Sequence, residues 1–357
     1  VAKMFIGGIV PGISIGIVLM IICMLGMPWF LSLYTKNDAI IGMGLVYAKR
    51  VFLFSVIIML GISLEKIFQA VGRMKVSMIS MMCGFIANIV LDPLMIFGIG
   101  PFPEMGMAGA AYATGIGQTI TLLVYLIFCV ARPLPVTFSR KMLSFDRDLM
   151  KKLYAVGVPA SLNMALPSLL ISSLNGILAA FSEQYVLVLG AYYKLQTFIY
   201  LSANGIIQGI RPLISFNYGA GEKKRVQQIF RTTLGLAAGV MAVGTVLSFL
   251  IPGQMIGLFT SSEATIRIGI KALHVISLGF IVSAVSVTCC GALEALGKGM
   301  ESLMISLLRY AVIIIPAAYL LSRAKGAEGV FFAFPVTEAA TAVVAFLIYR
   351  HSSHRIS

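Results

Sequence analysis

Long apolar stretches, separated by short polar segments, run through the whole chain. Each has about 20 residues or more, the length that a helix needs to cross a bilayer. Ten stretches are predicted as membrane spans, approximately at 5–33, 43–68, 77–98, 107–130, 154–180, 186–215, 230–259, 267–293, 302–322 and 328–349. The alternation typical of β-barrel strands is missing, and the stretches are far too long for such strands. The pattern therefore predicts an all-α polytopic membrane protein, a bundle of about ten transmembrane helices.

The composition also indicates a lipid environment. Of the 357 residues, 59% are hydrophobic and 11% are charged, whereas roughly 25% are charged in ordinary soluble domains. The formal net charge of +14 would suggest nucleic-acid binding in a soluble protein. Because basic residues collect in the cytoplasmic loops of membrane proteins, we expect membrane lipid as the partner and no nucleic acid.

Basic residues are concentrated in alternate connections between the predicted spans. These connections and the chain end hold Lys66, Arg73, Lys75, Arg132, Arg140, Lys141, Arg147, Lys151, Lys152, Lys223, Lys224, Arg225, Arg350 and Arg355. The opposite connections are leaner, with Lys36, Asp38, Glu104, Glu183, Glu263, Arg323, Lys325 and Glu328. The positive-inside rule therefore places the basic loops of both halves in the cytoplasm and predicts a multi-pass protein of the plasma membrane.

Two parts of the chain resemble each other at a spacing of roughly 220–225 residues, the scale of one half of a duplicated transporter. The matching segments are Pro28 to Thr35 with Pro252 to Thr260, Asp38-Ala39 with Glu263-Ala264, Gly44 with Gly269, Gln69-Ala70-Val71-Gly72-Arg73 with Glu294-Ala295-Leu296-Gly297-Lys298, Gly106-Met107-Ala108-Gly109 with Gly326-Ala327-Glu328-Gly329, and Ala113 with Ala333. Such a repeat predicts two halves in the same orientation, with the transport path between them.

The repeat also predicts what precedes Val1. The second copy begins in the basic stretch near 131–150 and has two helices before Arg225, and Val1 pairs with about Val226. We therefore expect that the first copy lacks its first two helices, about 75 residues or more, by comparison with the second. A natural ten-helix protein is the alternative. The chain has no signal peptide, and its first residue is Val and not Met, which suggests a fragment or a processed start.

Asn88 and Asp92 interrupt the apolar stretch at 77–98. At a spacing of four residues they share one face of a helix, one turn apart. A carboxylate at that depth is expensive in lipid and is a functional-site candidate. Protons and cations would compete for it. The alternative is structural, because Asp92 precedes Pro93 and could cap a kinked or broken helix.

Four motifs are similar to those of the multidrug and toxic compound extrusion (MATE) transporters. They are Gln69-Ala70-x-Gly72-Arg73, Asn88-x3-Asp92-Pro93, the segment from Gly106 to Thr114, and the segment from Arg211 to Gly221. The resemblance implies a two-lobe bundle of parallel six-helix repeats. It also implies export of organic compounds by H⁺- or Na⁺-coupled antiport with alternating access. In that frame, 1–130 is the N-terminal lobe with helices 3–6, 131–153 is the inter-lobe loop, and 154–357 is the C-terminal lobe with helices 7–12.

The resemblance also implies a cation- or proton-coupling site. An Asn and an Asp on the fifth helix and a Thr on the sixth correspond here to Asn88, Asp92 and Thr114. A further Asp on the first helix usually completes that site, and this helix is missing. The neutral oxygens of Asn88 and Thr114 suit Na⁺, although ordinary hydrogen bonding between helices also accounts for them. The predicted seventh helix holds no acid and the tenth only Glu294, which argues against a C-lobe sodium site.

Candidate substrate-cavity residues lie in the second half. Tyr193, Gln196 and Tyr200 form one helical stripe at spacings of three and four, and aromatic faces suit cations. An interfacial aromatic belt is the alternative. Glu338 in the last span pairs with Gln118 in the repeat, and an acid facing the cavity would attract a cation. Its alternative role is an ion pair with Arg309.

These residues favour a cation-coupled exporter of small organic, mainly cationic compounds. A flippase for lipid-linked oligosaccharides or other lipids is the alternative, and it would need a larger, more basic cavity. An intramembrane enzyme is disfavoured because the spans offer no HExxH motif and no convergent pair of Asp. We expect a monomer with no cofactor other than the coupling ion and no metal beyond Na⁺ at Asp92. The five cysteines lie in apolar stretches without CxxC spacing, which indicates packing residues and not metal ligands.

Overall fold

The structure is a computed structural model that describes residues 2–32, 37–132 and 147–354. All regular secondary structure in these ranges is helical, so the all-α prediction is confirmed. Several predictions fall outside the described residues: the end of the repeat segment at Thr35, the loop residue Lys36, the basic residues Arg140 and Lys141, and Arg355.

The chain divides into two compact units, residues 1–151 and 152–357. The helices of unit 1 are α1 (Ala2–Ser32), α2 (Asp38–Leu53), α3 (Ser55–Ala70), α4 (Met74–Ile96) and α5 (Met107–Ala131). The most extensive helix contact in this unit is between α4 and α5. Its few fully buried large side chains include Phe68 and Tyr125, whose rings stack at 5.6 Å.

Unit 2 holds the remaining helices and a larger apolar core. They are α6 (Arg147–Ala179), which begins just before the unit boundary, α7 (Glu183–Gly219), α8 (Lys223–Leu250), α9 (Pro252–Gly257), α10 (Glu263–Ser277), α11 (Phe280–Ala295), α12 (Gly299–Leu307), α13 (Ile314–Lys325) and α14 (Ala327–His354). A π-helical turn, Leu308–Ile313, joins α12 to α13. Tyr192 lies at the centre of the core, and its ring contacts those of Phe280 and Phe334.

The predicted number of ten spans is not confirmed. Seven helices in the described residues are long and apolar enough to cross a membrane, or up to nine if each of two bent helix pairs forms one span. The stretch predicted at 186–215 does form a helix, α7, but it is not among these. Polar side chains along it, including Lys194, Asn204 and Arg211, lower its hydropathy.

One predicted boundary is wrong. The span predicted at 230–259 ends at Leu250, and the short helix α9 begins at Pro252, which suits the first turn of a helix because proline has no N–H to donate. Helix α6 begins at Arg147, inside the stretch 131–153 that was predicted as the inter-lobe loop, and its candidate membrane span begins at Leu153. Asp148 in its first turn is favourably placed for the helix dipole.

Two predicted spans are bent, and the bends occur at equivalent places in the repeat. Helices α2 and α3 meet at 50°, and α10 and α11 at 54°. Neither pair contains proline. At each break a backbone N–H bonds three residues back, from Phe54 to Val51 O and from Gly279 to Ile276 O, both at 3.0 Å. This tighter turn redirects the chain.

The repeated Gln/Glu-Ala-x-Gly-Arg/Lys motif ends a helix in both units. Gly72 has φ +76° and Gly297 has φ +75°, a conformation that favours glycine. In both turns the residue after the glycine donates to a carbonyl five residues back, Arg73 N to Phe68 O and Lys298 N to Leu293 O, each at 2.8 Å. This is the Schellman arrangement. The sequence repeat is thus a repeat of helix-terminating geometry.

Candidate functional site

Asn88 and Asp92 lie one turn apart on α4, as their spacing predicts. Both residues are half-buried. Asn88 Nδ2 and Asp92 Oδ1 are buried atoms without a hydrogen-bond partner among the described residues. Helix α4 runs unbroken through Pro93 to Ile96, so Asp92 does not cap a broken helix. A polar pair left unsatisfied inside an apolar span is expensive, which favours a ligand at this place.

Helix α5 packs closely against this face of α4. A Cβ atom added to Gly117 would lie 3.1 Å from Asn88 Cβ, and one added to Gly109 would overlap the backbone of Met95. Between these contacts, the antiparallel register brings Thr114 to about the level of Asp92. The Thr114 hydroxyl donates to Ala110 O at 3.0 Å, which leaves its oxygen free to accept or to bind a cation.

The chemistry of this set suits a small monovalent cation or a proton. It offers one carboxylate, one amide and one hydroxyl, all hard oxygen donors. The described residues contain no group of three or more His, Cys, Asp or Glu side chains that could hold a metal ion. A single carboxylate balances one positive charge, which fits Na⁺ or H⁺ better than a divalent ion.

The aromatic stripe of α7 lines a cavity of about 310 Å³ in unit 2. Tyr193, Gln196 and Tyr200 all contribute to its wall, together with Phe334 and Glu338. The Tyr193 hydroxyl is buried and without a hydrogen-bond partner among the described residues. Gln118, the repeat counterpart of Glu338, lies half-buried on α5 in unit 1. The structure thus brings four of the five predicted cavity residues together.

Glu338 forms a buried ion pair with Arg309, which was its alternative role. Arg309 Nε and Nη2 both donate to Glu338 Oε1, at 2.9 Å and 2.5 Å. Arg309 Nη2 also donates to the Tyr200 hydroxyl at 3.4 Å. Glu338 therefore has both predicted roles, because it is paired with Arg309 and both side chains line the same cavity.

A polar cluster that the sequence did not suggest lies at one end of a second cavity of about 330 Å³. Arg211 Nη2 is 2.6 Å from Glu294 Oε2. Glu294 Oε1 accepts from Asn163 Nδ2 at 3.2 Å and from Ser302 Oγ at 3.0 Å. The four residues come from α6, α7, α11 and α12, so only the position of Glu294 in the repeated motif could have indicated them.

In each unit, one contact joins two helix ends that carry basic residues. In unit 1, Arg73 Nη1 donates to Arg132 O at 2.6 Å. In unit 2, Lys298 Nζ donates to Ser352 O at 3.0 Å, near the end of α14.

Comparison with known proteins identifies relatives of this chain. A family model described as MatE matches residues 1–94 and 159–320. The "Multidrug export protein MepA" of Staphylococcus aureus (strain bovine RF122 / ET3-1) is 25% identical over 337 residues, 94% of this chain and 73% of MepA. MepA of Staphylococcus saprophyticus has the same identity and coverage.

Solved structures share the fold. "Crystal structure of MATE in complex with MaL6" has a TM-score of 0.90 at 22% identity and covers 99% of this chain and 80% of that one. A structure described as "Reverse polarity of binding pocket suggests different function of a MOP superfamily transporter from Pyrococcus furiosus" has a TM-score of 0.92 at 22% identity, with 99% and 79% covered. The fold is therefore that of the MATE transporters.

Proposed function

Because the chain belongs to the MatE family, we propose that it exports small organic compounds, organic cations among them, by antiport against H⁺ or Na⁺. Family membership confirms the prediction of a multi-pass membrane transporter and not an enzyme. The MepA relatives are described as multidrug export proteins. The coupling ion, the alternating access and the cationic nature of the substrates are parts of the proposal.

One observation carries the coupling part of the proposal. Asn88 and Asp92 place an unsatisfied amide and an unsatisfied carboxylate oxygen on one face of an apolar helix. Without a ligand, the ionised carboxylate would be costly in lipid. Binding of a cation or a proton removes that cost, so occupancy follows the ion gradient. Thr114 supplies a third oxygen from α5.

The cavity in unit 2 supports the substrate part of the proposal. Aromatic rings of Tyr193, Tyr200 and Phe334 line it beside the carboxylate of Glu338. Aromatic walls favour flat organic cations without selecting one compound, and Glu338 adds a carboxylate that is paired with Arg309 on the same wall. We further propose that the basic helix ends face the cytoplasm of a plasma-membrane protein, as the positive-inside rule predicts.

Dye transport in proteoliposomes tests the proposal. The chain is reconstituted, and accumulation of a fluorescent organic cation is followed under separately imposed pH and Na⁺ gradients. We expect one gradient to drive transport, and Asp92→Asn to reduce it by roughly tenfold or more, because an amide cannot exchange a proton or balance a cation charge.

The matched control is Glu104→Gln, which removes one negative charge from an exposed position between α4 and α5. It should transport like the unchanged chain. Transport that persists in Asp92→Asn would refute the coupling site and leave export standing. If neither gradient moves the dye, while lipid-linked oligosaccharides cross the bilayer, the protein is a flippase.

A further inference from the structure

The helix pair α4 and α5 of unit 1 differs from its repeat counterpart in unit 2 at one position along the helix contact. In unit 1, α4 and α5 touch at Gly84, where an added Cβ atom would overlap the side chain of Thr121. At the repeat spacing, Gly84 corresponds to Arg309 and Gln118 corresponds to Glu338. The second copy therefore has a charged pair at the level where the first copy has direct helix contact.

Only one of the two carboxylate oxygens of Glu338 takes part in this ion pair. Both Arg309 donors bind Oε1, whereas Oε2 is buried and has no partner among the described residues. The two side chains are 8% and 11% exposed. Buried charges are stable only when they are paired, so an ionised Glu338 requires a cation beside it.

The contacts of the Arg309 guanidinium are those expected of a bound organic cation. Its guanidinium carbon lies 5.2 Å from the ring centre of Tyr310 and 5.9 Å from that of Tyr200, within the range of cation–π attraction. Arg309 sits on the π-helical turn, Leu308–Ile313. Such turns are frequent at functional sites. A carboxylate flanked by two aromatic rings is a binding site for a flat cation.

This arrangement lies at the boundary between the two cavities of unit 2. Arg309 lines both of them, together with Tyr200, Asn204 and Tyr310. A molecule in either cavity therefore reaches Arg309, and one in the cavity of about 310 Å³ also reaches Glu338. A displaced guanidinium can turn into the second cavity, whose lining includes Glu294.

We propose that Glu338 and the rings of Tyr200 and Tyr310 form a binding site for flat organic cations, and that Arg309 is its displaceable internal occupant. The ligands are amidinium and guanidinium compounds, which share the planar donor geometry of the arginine head group. This rests on the proposed export function and assigns one substrate class to a defined site. When the ligand leaves, Arg309 returns, so Glu338 is never left as an unpaired charge in the membrane.

Equilibrium binding of radiolabelled benzamidine to the full chain in lipid nanodiscs tests the proposal. Benzamide, its uncharged counterpart of the same shape, serves as the ligand control. Removal of the competitor in Arg309→Gln should raise benzamidine affinity by about tenfold, and Glu338→Gln should lower it by about tenfold or more. Benzamide binding should change in neither variant.

Arg323→Gln is the matched protein control. Arg323 also lies over a tyrosine ring, that of Tyr319 at 5.2 Å, but it is exposed and lines neither cavity. The benzamidine affinity of Arg323→Gln should equal that of the unchanged chain. Should Arg309→Gln not fold, Arg309→Lys replaces it, since lysine keeps the charge and loses the planar fork. We expect this variant to bind benzamidine about threefold more tightly than the unchanged chain.

Opposite shifts in the Arg309 and Glu338 variants support the proposal. Weaker binding in both would show that Arg309 is no competitor and would overturn it, as would benzamide binding as tight as that of benzamidine. No detectable benzamidine binding in the Arg309 variants also overturns it. The binding assay needs no ion gradient and is therefore independent of transport. If the dye assay fails while the binding shifts are opposite, the export function is refuted and this site stands.

Discussion

Arg211 and Glu294 form an ion pair of 2.6 Å between α7 and α11. The second oxygen of Glu294 accepts from Asn163 on α6 and from Ser302 on α12. One carboxylate thus joins four helices of unit 2 at the second cavity. Since α6 and α7 are far from α11 and α12 in the sequence, the cluster fixes the position of the first two helices relative to the last two.

Glu294→Ala should lower the free energy of unfolding by about 2–3 kcal/mol, because it leaves Arg211 and two donors without their acceptor. The value lies below the roughly 3–5 kcal/mol of broken, fully buried pairs, since the Arg211 side chain keeps 35% exposure. Chemical denaturation in one detergent measures it. The control is Glu263→Ala, which removes an exposed pair of 3.9 Å with Arg267 and should change stability by less than about 0.5 kcal/mol. Equal losses in both variants would contradict the structural role.

Gly84→Ala should destabilise unit 1 by about 1–3 kcal/mol, the usual cost of overpacking. The added methyl group would overlap Thr121 and lie 2.6 Å from the carbonyl oxygen of Gly117, so α4 and α5 must separate. Thermal unfolding measures the loss. Gly42→Ala is the control, because that helical glycine has open space around it. It should be neutral or stabilising by up to about 1 kcal/mol. An unchanged melting temperature for Gly84→Ala would refute close packing here.

Because the two turns share one geometry, substitution of their glycines should destabilise the two units equally. Gly72→Ala and Gly297→Ala should each lower stability by about 1–2 kcal/mol, because both backbones are in the left-handed region. Asparagine tolerates that conformation better, so Gly72→Asn and Gly297→Asn should lose less than the alanine variants. Melting temperatures of the four variants test this. A loss of the same size for Asn and Ala would indicate that side-chain volume, and not φ, is limiting.

Cation binding at Asp92 should be visible without transport. At a Na⁺ concentration ten times the dissociation constant, binding to the folded state adds about 1.4 kcal/mol of stability. We therefore expect NaCl to raise the melting temperature relative to choline chloride at equal ionic strength. The rise should vanish in Asp92→Asn and remain in Glu104→Gln. A rise that persists in Asp92→Asn would place the ion elsewhere, and no rise in the unchanged chain would contradict Na⁺ binding at Asp92.

Much of the helical architecture is determined by residues that are close together in the sequence. Apolar length alone predicted the helices, because in lipid a chain must satisfy its backbone hydrogen bonds within each helix. The repeated motif at Gly72 and Gly297 marked two helix ends, since only glycine readily takes that φ. The spacing of Asn88 and Asp92 placed them on one face. In each case the interacting atoms lie within a few residues of one another.

The tertiary structure decided what depends on contacts between distant residues. The bends at Phe54 and Gly279 carry no proline signal, and no local motif predicted the π-helical turn around Arg309, which contacts α14. The partners of Glu294 come from three other helices, which no spacing rule relates. Whether Glu338 faces a cavity or an arginine could be posed from the sequence, but only the packed unit shows that it does both. Helix formation is a local equilibrium, whereas the pairing of buried charges is set by which helices meet.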